Sequence, residues 1–181
     1  MAKRPRLLLL DANAVFAAFR YGAWEGLRAA YEIVVPSTVV RHEALFYLSR
    51  ETGRRVELDL AGEAQDGRIV EVVVPAVEIA ELRSRFDASF RMRVDAGEAE
   101  ALAYLVKRED EDMRFVSSDA SALEAVAMLG IAERAMCLSE ALQLCGLSRS
   151  LPRQHGPDFF REHISVGLQR FVTGRGLDAG R

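Results

Sequence analysis

Lysine is almost missing from this chain: Lys3 and Lys107 are the only two among 24 basic side chains, so arginine carries the positive charge. Genomic base composition is the plainer cause of that bias, but guanidinium forks also suit phosphate oxygens. There is no excess of positive charge either. With 27 acidic residues and a net charge of −3, the chain lacks the overall field of a nucleic-acid coat, and any phosphate contact must be local. Cysteine is scarce. Cys137 and Cys145 make no CxxC and no Cys/His ligand spacing, which argues against a zinc site and predicts two reduced, structural thiols in a cytoplasmic protein. Long apolar runs are absent. Leu7–Leu10 is too short for a signal-peptide core and is cut by Asp11. Nothing approaches the ~20 apolar residues of a membrane span. No GxGxxG follows the first apolar run, which disfavours a dinucleotide fold. A phosphate-transfer hydrolase would want a second acid two residues after Asp11, where Asn13 stands. Internal repeats and low-complexity blocks are lacking.

What is present is a chain of 181 residues, 50% hydrophobic and 28% charged, the size of one ordinary domain with a short appendage. Residues 6–10 read as a buried strand, followed by a helical stretch carrying Val15, Phe16 and Phe19, then a helix over 24–30. Tyr31 to Val35 form a second strand, ended by Pro36. Ser37 is the N-cap expected for a helix whose apolar face runs from Val39 and Val40 past Glu43 and Ala44 to Tyr47. Residues 55–60 alternate like a half-exposed strand, the next few are ambiguous, Asp66-Gly67 is a turn, and 68–74 is β-rich. A helix is expected over 77–86. Asp95 caps another, with Glu98 three residues on as an acidic capping box, running to about Arg108. Residues 109–112 are an acidic loop. A short strand at 115–117 leads to a helix capped by Asp119 or Ser121 and ended by Gly130. A strand within 131–138 and a helix capped by Ser139 complete the core. Strands alternating with helices at this spacing predict a parallel sheet covered on both faces. Residues 1–148 would form this domain. Residues 149–181 would form a helical extension from Pro157, with a loose tail from Gly174.

The acids carry the chemistry. Asp11 and Asp119 each follow a predicted strand, and the carboxyl ends of parallel strands are where sites form. Glu43 lies on an otherwise apolar helical face, which is unusual for a carboxylate without a partner. Glu98 and Glu100 compete for a third place. A helical wheel sets Glu98 with Leu102 and Leu105 on the inward face and Glu100 with Lys107 on the outward one. Each acid has a plainer reading as a cap or surface residue, but four at strand ends and helix starts suggest one shared cation. Mg²⁺ and Mn²⁺ prefer such oxygen donors, and the matching chemistry is phosphodiester hydrolysis. Asn13, Asp95, Glu100 and Ser118 are candidates for the surrounding shell. Arg41, Arg50, Arg54, Arg55, Arg91 and Arg93 are candidates for holding the phosphate backbone, although a solvated surface role is the plainer one for each.

In this order the motifs resemble the PIN-domain family: Leu8-Leu9-Leu10-Asp11-Ala12-Asn13, Val35-Pro36-Ser37 leading to Glu43, Asp95-Ala96-Gly97-Glu98-Ala99-Glu100-Ala101-Leu102-Ala103, and Val116-Ser117-Ser118-Asp119. The likeness spans roughly residues 6–147. The Gly-Glu-Ala-Glu-Ala stretch is similar to stand-alone prokaryotic members related to VapC-type toxins. The resemblance implies a three-layer α/β/α sandwich with a mainly parallel sheet. It also implies an endoribonuclease using Mg²⁺ or Mn²⁺ on Asp11, Glu43, Glu98 and Asp119, a cognate antitoxin protein and a homodimer. The chain departs from such toxins in its greater length and in a Glu where they often carry Asp. A catalytically silent PIN-like module that binds RNA or protein is the alternative.

Overall fold

The computed structural model describes residues 6–108 and 112–178. Strand β1 (Leu7–Leu10) leads into α1 (Ala12–Arg20) and α2 (Trp24–Ala30). Strand β2 (Glu32–Pro36) is followed by a π-helical turn at Val39–Glu43, then by β3 (Phe46–Leu48), β4 (Arg55–Glu57), α3 (Leu60–Gln65) and β5 (Val70–Val72). Next come α4 (Ala76–Arg83), α5 (Ala88–Arg91), α6 (Ala96–Lys107), β6 (Met113–Val116) and α7 (Ala120–Met128). The chain closes with β7 (Ala135–Met136), α8 (Leu138–Leu144) and α9 (Pro157–Thr173).

Five strands form one parallel sheet in the order β5-β2-β1-β6-β7. Its period-two pattern splits the core in two. Leu8, Leu10, Ile33, Val35 and Val116 face α1, α2, α3 and α8. Leu7, Leu9, Val34, Met113 and Phe115 face α4, α5, α6 and α7. Both faces are therefore dry, which is why β1 is apolar at every position. The result is the three-layer α/β/α sandwich. No helix among the described residues is long and apolar enough to cross a membrane.

Several local expectations need correction. The helix predicted to run from Ser37 through Tyr47 stops at Glu43, because the Ala44 N–H closes a wide turn on the Val39 carbonyl at 2.8 Å. Tyr47 instead lies in β3, which pairs antiparallel with β4 as a separate hairpin. Ser37 does not cap; its hydroxyl donates to Glu100 at 2.9 Å. Ser139 does not cap either. Cys137 holds that position without a capping side-chain bond. The ambiguous stretch after β4 is α3, capped by Asp59. Of the acidic loop, residues 109–111 lie outside the described residues. The tail is held as far as Asp178. Leu177 bridges Phe86, and the Asp178 N–H donates to the Arg85 carbonyl at 3.0 Å.

The helix expected from Pro157 is α9, and it lies on the outer side of α7. Gly167 makes this close approach possible: a Cβ there would stand 2.4 Å from the Glu124 carbonyl oxygen. Beneath it, the buried Glu124 carboxylate is satisfied by Arg93 at 3.0 Å, Arg170 at 3.1 Å and His163 at 3.3 Å. A carboxylate buried to this degree is stable only when paired and hydrogen-bonded, and here α9 supplies two partners, His163 and Arg170, and the loop after α5 the third, Arg93.

Candidate active site

Sheet order decides where a site can form. The chain winds outward from β1 in both directions, so β1 and β6 flank the point where the winding reverses, and in a parallel sheet the carboxyl ends of the strands at that point are where sites form. Leu10 pairs with Val116, which sets the residues that follow, Asp11 and Ser117, side by side. The Ser117 hydroxyl donates a short hydrogen bond to Asp11 Oδ2 and accepts the Asp119 N–H at 3.0 Å. One buried serine thus ties the two acids that the sequence placed at strand ends.

Both acids also cap helices. Asp11 Oδ1 accepts the Ala14 N–H at 2.7 Å, and Asp119 Oδ1 accepts the N–H groups of Ser121 and Ala122 at 2.6 and 3.2 Å. Capping and site-building are not alternatives here, because a carboxylate has lone pairs for both. Asp11 is fully enclosed. Burial lifts its carboxyl from 3.8 to about 7 despite the bonds from Ser117 and Ala14, and the charges of Asp119 and Asp95 push the same way.

The third acid comes from the start of α6. Asp95 and Glu98 form the expected capping box, with Glu98 N–H to Asp95 Oδ1 at 2.7 Å and Asp95 N–H to Glu98 Oε2 at 3.1 Å. Glu98 is buried and lifted from 4.5 to about 9, by desolvation first and then by Asp119, Asp95 and Asp11. Asp95, anticipated only as a cap and neighbour, is the exposed acid whose charge is felt by Asp11, Glu98 and Glu43 alike.

Glu100 does not face outward as the helical wheel suggested. It is 2% exposed and accepts from Ser37 Oγ at 2.9 Å, Thr38 N–H at 2.8 Å and Val74 N–H at 3.2 Å. It fastens α6 to the ends of β2 and β5. Glu43 is half-buried and accepts the Gly97 N–H at 3.0 Å. Burial, then Asp95 and Glu100, raises its pKa. Gly97 has to be glycine for this contact, since a Cβ would stand 2.2 Å from Glu43 Oε2.

The remaining candidates divide. Asn13 is exposed and lines a cleft beside Glu43. Ser118 has no such link among the described residues; Ser117, one residue earlier, makes the contacts, and its sole sequence signal was its place at the end of a predicted strand. Arg41 is held by Glu71 at 2.6 Å, Arg91 by the Phe86 carbonyl at 3.0 Å and Arg93 by Glu124. Arg50, Arg54 and Arg55 ride on the exposed β3–β4 hairpin.

The donor set suits a hard divalent cation: carboxylate oxygens from four parts of the chain, with no salt bridge to any of Asp11, Glu43, Asp95, Glu98, Glu100 or Asp119 among the described residues. Their positions, however, close no group of three or more His, Cys, Asp or Glu side chains able to hold a metal ion among the described residues. Comparison with protein-family models, curated proteins and solved structures finds no match to this chain.

Proposed function

We propose that this protein is a metal-dependent endoribonuclease of PIN-like type, using Mg²⁺ or Mn²⁺ held by Asp11 and Asp119 with Glu98 and Glu43. One observation carries the reading. Two acids linked through Ser117 sit at the reversal point of a parallel sheet, with a further acid at α6, and no salt bridge reaches any of the three among the described residues. Such a cluster resists ionisation until a cation or protons compensate it. When bound, the ion supplies a lowered pKa for its water and charge stabilisation for the leaving oxygen.

The chain's own residues have definite tasks. Ser117 orients Asp11, and the Ala14 N–H fixes its other oxygen, so the carboxylate cannot rotate away. Without a cation, Glu98 keeps its proton at neutral pH. Asp95, exposed at the rim, holds Glu98 in place through the capping box. The resemblance adds a cognate antitoxin and a homodimer to the proposal. The two free thiols suit a reducing cytoplasm.

A catalytically silent module is the second reading. It is favoured by the lack of a closed ligand group among the described residues and by the commitment of Glu98 Oε2 to a capping bond. Cleavage of a pooled RNA library with and without Mn²⁺ separates the two. Wild type is expected to cut only with metal, and Asp11→Asn and Asp119→Asn to lose about 10²-fold or more. Cleavage undiminished in both variants would defeat the proposal.

A further inference from the structure

A cleft of about 620 Å³ opens beside the acids and shares Asn13 and Glu43 with them. It is lined by α1, by β3 of the hairpin, and by the turn at 152–155 that leads into α9. Beyond Tyr21 and Tyr47 it continues into a second hollow of about 630 Å³ that reaches Arg50. Both hollows include Arg20, Tyr21 and Tyr47, so together they make one groove leading away from Glu43.

The lining is chemically specific. Phe16, Tyr21, Phe46 and Tyr47 offer four aromatic rings. Tyr47 is braced against Phe19, with centroids 6.0 Å apart and planes 28° from parallel. The Arg50 guanidinium lies 4.7 Å from the Tyr21 ring centre, and Arg55 lies 3.9 Å from that of Phe46. Arg20 and Arg50 are exposed, and neither has a carboxylate partner among the described residues. His155 borders the same space. It is 5% exposed, meets the Tyr21 ring edge-on at 6.1 Å, and its Nδ1 has no hydrogen-bond partner among the described residues. Burial also favours the neutral imidazole, which can donate from one nitrogen and accept at the other. A buried ring nitrogen without a partner is costly, and a bound ligand can relieve that cost.

We propose that this groove is a nucleobase-recognition site for single-stranded RNA, in which an unpaired base stacks against Tyr21 and Tyr47, bonds through its edge to His155, and has its flanking phosphates held by Arg20 and Arg50. The assignment rests on RNA being the ligand in the proposed function, but not on the neighbouring acids cutting it. Aromatic faces accept any base, while arginine both stacks and grips phosphate, so the lining suits a splayed single strand and not a duplex. Nδ1 is closed to water, so it can bond a base only if the imidazole turns toward the cleft. That adjustment would give the site a preference among bases.

The test is fluorescence anisotropy with a short labelled single-stranded RNA, in EDTA, on the full chain. Wild type should bind, and Tyr21→Ala and Arg50→Glu should each weaken binding roughly tenfold. A single abasic position in the probe should weaken wild type similarly and Tyr21→Ala much less. His155→Gln should change the ranking among homopolymer probes. Arg50 is exposed, so Arg50→Glu keeps the test decisive if Tyr21→Ala unfolds. Full affinity in Arg50→Glu, no RNA binding by wild type, or equal binding of a duplex overturns the groove assignment. Mn²⁺-dependent cleavage by the same proteins keeps the two proposals apart. Binding without cleavage sinks the nuclease alone, and cleavage with binding indifferent to the groove variants sinks the groove alone.

Discussion

Asp11 serves two ends that conflict. As a helix cap it is satisfied in either protonation state, but as a buried anion beside Asp119 and Asp95 it is disfavoured. Its carboxyl titrates near 7 in the fold against 3.8 ordinarily, and Glu98 near 9 against 4.5. Both folded values are raised, so between about pH 4 and about pH 9 the folded chain binds more protons than the unfolded one. Stability therefore falls as pH rises through this window. In metal-free buffer the thermal midpoint should decline across it, and Asp11→Asn should flatten the part below about pH 7. A midpoint that rises with pH over this range would show that the acids are compensated in some other way. The same enclosure explains why the helical wheel misjudged Glu100. Residues 98 and 100 lie on nearly opposite sides of α6, yet both are buried, because Glu98 faces the strand-end acids Asp11 and Asp119 and Glu100 faces the ends of β2 and β5.

At the scale of elements, the contact between the π-helical turn and the start of α6 brings Glu43 to the site. Gly97→Ala tests it. The added methyl would collide with the Glu43 carboxylate, the movable end of a side chain, and would also remove the roughly 0.5–1 kcal/mol helix penalty of glycine. Stability should be nearly unchanged, while Mn²⁺-dependent cleavage drops about tenfold or more; unchanged cleavage would remove Glu43 from the machinery. The wide turn itself was not legible. Val39, Val40, Glu43, Ala44 and Tyr47 fit an ordinary helical stripe, and only the pairing of Tyr47 with Val56 in the hairpin pulls the chain out of it. The α6 capping box, by contrast, was readable from Asp95 and Glu98 alone, because its hydrogen bonds span three residues.

For the whole molecule, α9 locks the outer layer by lying on α7 at Gly167 and by sharing the Glu124 ion cluster. Gly167→Ala would press a methyl into the Glu124 backbone, an overpacking cost of about 1–3 kcal/mol. For a chain of this size that corresponds to a thermal midpoint lower by about 2–4 °C per kcal/mol, readable by calorimetry. No shift would mean that the helix contributes little to the stability of α7. The amino-acid sequence alone determined the features built from near neighbours: the apolar strands at β1 and β2, the caps at Asp11, Asp95 and Asp119, and a parallel sheet dry on both faces. These follow from side-chain periodicity and from hydrogen bonds a few residues long. Tertiary structure decided what depends on distant segments meeting. Ser117 became the link between Asp11 and Asp119 through the register of β1 and β6. Glu100 became a fastener, Arg93 went to Glu124, and His155 reached the cleft beside Tyr21. Such partners lie tens of residues apart, and local propensity holds no record of them.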